Sequence, residues 1–266
     1  MLWGRLDPPY DEGRDQIVLI HVRKTAGTAL AQVLRPALHS PGAPVTRWGS
    51  VERRETGALA LHGPARRFLI NLGERARNLM LRATGGEVRP PLADQAFVAG
   101  HYVLGEEPPT WRRKLYVTLL RDPVDRFVSD FAFMKGKRDR ARGDATDPGL
   151  YDLSMEDFVA RVEARPELYL HDYQCRQLCG APDGEAAIRT VDEMVWLAAT
   201  TPQIDRLLQR IGEAMGRSLP SAPVVRRTEG RPKAEALDPA LRARIAALNP
   251  GDMRLVAHVA RAFDAL

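Results

Sequence analysis

The segment that most constrains this chain is a short apolar run that breaks into a lysine-bearing turn and then resumes at helical spacing. Ile17 to Val22 (IVLIHV) is rich in β-branched residues, the pattern of a strand buried on both faces. Arg23 to Thr28 (RKTAGT) interrupts it with small and polar residues. From Ala29 onward, Leu30, Val33, Leu34 and Leu38 recur at the period of a helix. Strand, tight turn and helix in that order open a βαβ unit. The expected fold is therefore α/β, a mostly parallel sheet flanked by helices.

The rest of the chain extends this pattern. Phe97 to Ala99, Leu115 to Leu120 (LYVTLL) and Val195 to Ala199 read as further strands. Pro123 sits where a first helical turn tolerates it, with Asp122 as N-cap and Val124, Phe127, Val128 and Phe131 continuing the apolar face. Lys135 to Pro148 is polar and reads as an exposed loop. Helices are predicted over Met155 to Val162, Tyr169 to Leu178, Ile204 to Met215, Leu237 to Leu248 and Asp252 to Phe263. Residues 41–91 are rich in Gly, Pro and Arg and read as an insertion in one domain spanning 1–266, with a helix over Ala65 to Arg82.

Composition bounds the function. The chain has 266 residues and 44% apolar residues, enough for a substantial core. No stretch approaches the ~18 uninterrupted apolar residues of a membrane span. The acidic N-terminus, with Asp7, Asp11, Glu12 and Asp15, lacks a secretory pattern. Two cysteines, Cys175 and Cys179, cannot make a disulfide framework, so a cytoplasmic protein is expected. At helical i,i+4 spacing they read as buried small residues. The net charge of +5 suits an anionic ligand, although an ordinary solvated Arg-rich surface would give the same balance.

Two motifs carry chemistry. In the first, His21 to Leu30, a strand-to-helix turn aims backbone N–H groups and the positive end of the helix dipole at one spot, which suits an anion. Gly27 allows close backbone approach, Thr25 and Thr28 offer hydroxyls, and Lys24 offers a full charge. The lysine precedes the glycine, so this is not the GxxxxGK[ST] loop. A helix N-terminus merely capped by threonine is the alternative. In the second motif, Thr118 to Ser129 (TLLRDPVDRFVS), Arg121 ends a buried strand at the carboxyl edge, where ligands of open α/β sheets bind. Its guanidinium fork suits a phosphate monoester, and Ser129 follows about two helical turns later. The alternative is a structural ion pair of Arg121 with Asp122 or Asp125.

Together the motifs resemble the carbohydrate sulfotransferase family typified by the heparan sulfate 2-O- and 6-O-sulfotransferases. Those enzymes read approximately PKTAGT and LRDPVxRFxS, and here Arg23 replaces the proline. Gly100-His101 with Gly105 is similar to the family's GHxxxG segment. Tyr173 to Gly180 is similar to NxQTRxLxG, with Cys175 in place of threonine, and Leu248-Asn249 through Phe263 is similar to its C-terminal helix. The resemblance implies a P-loop-like α/β fold, a parallel sheet flanked by helices, and 3′-phosphoadenosine 5′-phosphosulfate (PAPS) as co-substrate, with no metal. Lys24, Thr25, Gly27 and Thr28 would hold the 5′-phosphosulfate, and Arg121 and Ser129 the 3′-phosphate. Arg227 and Gly230 would lie on a late loop over the nucleotide. The resemblance is silent on the acceptor; a carbohydrate-like hydroxyl, on a glycan or glycolipid, is expected, a small alcohol stays open, and no specific nucleic acid partner is expected.

Such a transfer needs a general base near neutral pH. His101 follows a short strand and a glycine, which places it at the same edge as Lys24 and Arg121. His21, Glu106 and Glu107 are alternatives, and His258 reads as packing. Trp111 and Trp196 read as core or nucleotide-side packing. Two other functions compete. A nucleotide-dependent phosphotransferase is disfavoured by the missing Walker spacing. A polyanion-binding module is suggested by the arginines between Arg47 and Arg89, where aromatics for base stacking are sparse.

Overall fold

In the computed structural model, the described residues are 3–39, 95–107, 110–138, 153–164, 171–224 and 231–266. The insertion expected at 41–91, with its helix over Ala65 to Arg82, lies outside them, as do Arg227 and Gly230. Four strands form one all-parallel sheet: β1 (Asp15–Ile20), β2 (Phe97–Gly100), β3 (Arg113–Leu120) and β4 (Val195–Thr200), in the order β2-β1-β3-β4. The helices are α1 (Gly27–Ala37), α2 (Pro123–Arg138), α3 (Met155–Ala164), α4 (Tyr173–Cys179), α5 (Gly184–Met194), α6 (Ile204–Ala214), α7 (Pro239–Ala247) and α8 (Pro250–Asp264).

The apolar runs explain the sheet. Every residue of β1 and β4 is buried, as expected of parallel strands covered on both faces. One core cluster joins the four strands to α1, α4, α5, α6 and α8 through residues such as Leu19, Leu30, Leu119, Leu197, Leu208 and Phe263. A second cluster, with Phe127, Phe131, Phe158, Val159 and Ile245, binds α2, α3 and α7 together. No helix among the described residues is long and apolar enough to cross a membrane.

Several boundaries differ from the sequence reading. β1 ends at Ile20 rather than Val22, because the Val22 amide turns back to the Ile20 carbonyl (3.1 Å). It begins two residues early because buried Asp15 is held by Arg14 and Arg113, at 3.1 and 2.8 Å. α2 continues to Arg138 where polar composition suggested a loop; lysine and arginine are good helix formers. α5 was not foreseen. Its N-cap Asp183 accepts from Glu185 N (2.9 Å) and Ala186 N (3.0 Å). Trp111 is 66% exposed and lies outside the core, with the Arg112 guanidinium 4.8 Å from its ring centroid, whereas Trp196 lies in the core.

Two helix N-termini cap each other. Asp252 on α8 accepts from the amides of Gln174 (3.1 Å) and Cys175 (2.9 Å) on α4. Asp172, just before α4, accepts from the Asp252 amide (2.7 Å). Both carboxylates are buried and sit at the positive ends of helices, where negative charge is stabilised. Burial, with the nearby Asp252 charge adding to it, raises the Asp172 pKa. The same surroundings push the Cys175 thiol well up, so this buried cysteine is inert packing.

Candidate active site

Because all four strands run the same way, their C-terminal ends share one edge. Residues just past those ends, His21, His101, Arg121 and Thr201, therefore meet there from four distant parts of the chain. This is the ligand edge of an open α/β sheet.

The loop between β1 and α1 is conformationally strained. Lys24 (φ 66) and Ala26 (φ 63) both occupy the left-handed region, which costs roughly 1–2 kcal/mol for a residue with a side chain. Non-glycine residues held this way cluster at functional sites. Ala26, not a threonine, is the N-cap of α1, and no side chain caps it. The Thr25 hydroxyl is buried and donates to the Val22 carbonyl (2.8 Å), bracing the loop from within. Thr28 is half-buried on the first turn of α1. Ala29 N and Leu30 N donate to the Ala26 carbonyl (2.9 and 3.3 Å), and the N-cap offers the first turn of α1 no side-chain acceptor.

Lys24 is half-buried, with Nζ 4.3 Å from the centroid of the Phe133 ring. Burial lowers its pKa; Asp130 opposes this, while Arg23, Arg121 and Arg231 add to it. Arg121 lies beside it, and its Nη1 donates to the Lys24 carbonyl (2.9 Å). Its Nε donates to Asp125 (2.6 Å), the ion pair that the sequence offered as an alternative. The Arg121 backbone is clamped by the Gln174 side chain, which accepts from its amide and donates to its carbonyl, each at 2.9 Å. Burial lowers the guanidinium pKa, with Asp125 opposing. Ser129 is 5% exposed on α2.

Three contributors were not singled out from sequence. Arg231 reaches Asp125 at 2.8 Å, so one carboxylate bridges two guanidinium groups. Gln174 fixes the Arg121 backbone, as above. The Thr201 hydroxyl donates to the Leu120 carbonyl (3.0 Å), tying β4 to the end of β3. Arg23, Lys24, Arg121 and Arg231 gather here, with Asp122, Asp125 and Asp130 as carboxylates acting on them. Such an excess of positive charge in a partly buried setting attracts an anion.

The histidines form a stacked pair. The rings of His21 and His101 lie 4.6 Å apart at 27°. His101 Nδ1 is 2.6 Å from the His21 carbonyl oxygen. A carbonyl only accepts, so the His101 Nδ1 carries the proton. In the neutral ring, the Nε2 lone pair is then the basic one. Burial, with His101 and Arg35 nearby, holds the His21 pKa down at about 3, so His21 stays neutral. Glu107 is committed elsewhere: it accepts from Gly105 N (2.8 Å) and Tyr116 OH (2.6 Å) and pairs with Lys114. Glu106 is half-buried on the same turn. His258 pairs with Asp192 (2.9 Å), which also accepts from the Trp3 indole (3.0 Å).

No protein-family model and no curated protein matches the chain. Among solved structures, the chain is similar to a sulfotransferase from Alicyclobacillus acidocaldarius, with a TM-score of 0.46 and 17% identity over 94% of this chain and 99% of that one. It is also similar, more distantly, to a retinol dehydratase in complex with androsterone and inactive cofactor PAP, with a TM-score of 0.28 and 15% identity over 93% of this chain and 82% of that one.

Proposed function

We propose that this protein is a cytoplasmic sulfotransferase. It moves a sulfuryl group from PAPS to a hydroxyl of a carbohydrate-like acceptor, a glycan or glycolipid. The observation that carries this reading is the convergence of Lys24, Arg121 and His101 at one strand edge, from three motifs that are distant in sequence.

Each group has a distinct part. The first-turn amides of α1 and the Lys24 ammonium hold the 5′-phosphosulfate, and Lys24 stabilises the charge that builds on the leaving oxygen. Arg121, with Ser129 on the following helix, holds the 3′-phosphate. The acceptor oxygen attacks sulfur in line, forming a new S–O bond as the bond to the bridging phosphate oxygen breaks. His101 Nε2 takes the acceptor proton, and 3′,5′-ADP leaves. Arg227 closes over the nucleotide in this reading. The chain acts as one domain, with 41–91 inserted.

The experiment is mass spectrometry of oligosaccharide and glycolipid acceptors incubated with PAPS, paired with calorimetry of 3′,5′-ADP and of ATP with and without magnesium. A sulfuryl mass gain and a preference for 3′,5′-ADP without magnesium are expected. Preference for ATP with magnesium would make the protein a phosphotransferase. Steeply salt-dependent heparin binding that ignores 3′,5′-ADP would make it a polyanion module.

A further inference from the structure

His21 has no part in the proton transfer proposed above, yet it occupies a demanding position. Its side chain is buried, 6% exposed, and its Nδ1 has no hydrogen-bond partner among the described residues. A ring chosen for hydrogen bonding would not leave that atom orphaned. Its ring touches the proposed machinery twice: it stacks on His101, and its Cδ2 and Nε2 atoms lie against Gly27 at the start of α1.

Gly27 is the informative contact. It does not lie in the left-handed region, so its backbone would accept alanine. What excludes a side chain is the His21 ring: a Cβ at position 27 would stand 2.2 Å from Cδ2 and 2.6 Å from Nε2. Glycine is therefore required here to seat an imidazole, before any ligand is considered.

We infer that His21 is a positioning residue, wedged between Gly27 of the phosphosulfate loop and the His101 ring, that sets the place of the base relative to the loop. This rests on the sulfotransferase reading for its kinetic consequence, but not for its geometry. His101 belongs to the loop after β2 and Gly27 to the helix after β1. The ring of His21 and its own carbonyl join them, the first by stacking and the second by fixing the His101 tautomer. Burial keeps this spacer neutral, with Arg35 on α1 as the other charge acting on it.

A double-mutant cycle tests the inference. Gly27→Ala should push the ring and lower kcat by roughly 10–100-fold, the cost of a misplaced group. His21→Ala should lower kcat comparably, with 3′,5′-ADP affinity held within about twofold, and His21→Phe should recover most of that loss by restoring a flat wedge. In the His21→Ala background, Gly27→Ala should cost no more than about twofold further, since coupled sites are non-additive. An undiminished Gly27→Ala penalty in that background overturns the inference, because the glycine then serves the ligand instead. The same variants, labelled with ¹⁵N-histidine, give a readout without substrate. His101 ring signals should shift in His21→Ala and Gly27→Ala and return toward the wild type in His21→Phe. Unshifted His101 signals in folded His21→Ala protein overturn the coupling. If the wild type transfers no sulfuryl group, the function proposed above fails while the NMR arm still decides this inference.

Discussion

Three residues hold Arg121 at once, and their arrangement leaves a defined role for it. Asp125, the Lys24 carbonyl and the Gln174 amide fix its position. A guanidinium so pre-oriented loses little freedom on meeting a phosphate. Arg121→Ala should weaken 3′,5′-ADP binding by about 1.5–3 kcal/mol, the range for charge-assisted bonds, and weaken 5′-AMP far less; calorimetry compares the two, and equal losses would remove Arg121 from the 3′-phosphate. Lys24 is expected to act on the transferring group rather than on the product. Lys24→Ala should therefore lower kcat more than it lowers 3′,5′-ADP affinity, which steady-state kinetics alongside titration will show. His101→Ala should lose about 10²–10⁴-fold in kcat, the contribution of a positioned base, and bind 3′,5′-ADP normally. Near-normal turnover in that variant would move the base to Glu106.

At the scale of elements, what the sequence made legible follows from the range of the forces involved. β3 and β4 were readable because short apolar runs are local signals, and the C-terminal ends of the parallel strands β2 and β3 put His101 and Arg121 at one edge. α5 was not readable: its buried residues are only Gly184, Ala187 and Val191, too small an apolar stripe to stand out, and its Asp183 cap was the one usable mark. Arg231 and Thr201 escaped notice, and Gln174 was met only inside the Tyr173 to Gly180 segment without a role, because their partners lie 106, 81 and 53 positions away, with no periodicity to announce them. The mutual capping of α4 and α8 is also long-range, and it is energetically testable. Asp252→Ala leaves two buried amides without their acceptor, so stability should fall by about 3 kcal/mol in urea titration. Because α4 carries Gln174, the same variant should loosen 3′,5′-ADP binding.

For the whole molecule, the edge opposite the candidate site carries the acid sensitivity. Burial works to raise the Asp15 pKa, but hydrogen bonds from Arg113 and Arg14 outweigh it and hold the carboxyl at about 2. A carboxyl depressed on folding contributes stability above its unfolded pKa, about 3.9, and that stability is lost as pH falls through the folded value. The contribution is about 2 kcal/mol. Asp15→Asn should lower stability by at least that much at neutral pH, and its stability should decline less between about pH 4 and pH 2 than that of the wild type; chemical denaturation across pH measures both.

The central strand has a kinetic consequence as well. β1 pairs on both sides with segments far along the chain, so the atoms joining His101 to His21 and Thr118 to Ile20 are 80 and 98 positions apart. Contacts of that span repay their chain entropy only once distant segments have arrived, which makes folding of parallel sheets slow. The edge bearing the histidine pair and the cations is assembled by that same closure. An edge built from four strand ends is complete only once the sheet has closed, so the anion binding proposed for it should appear no earlier than that closure.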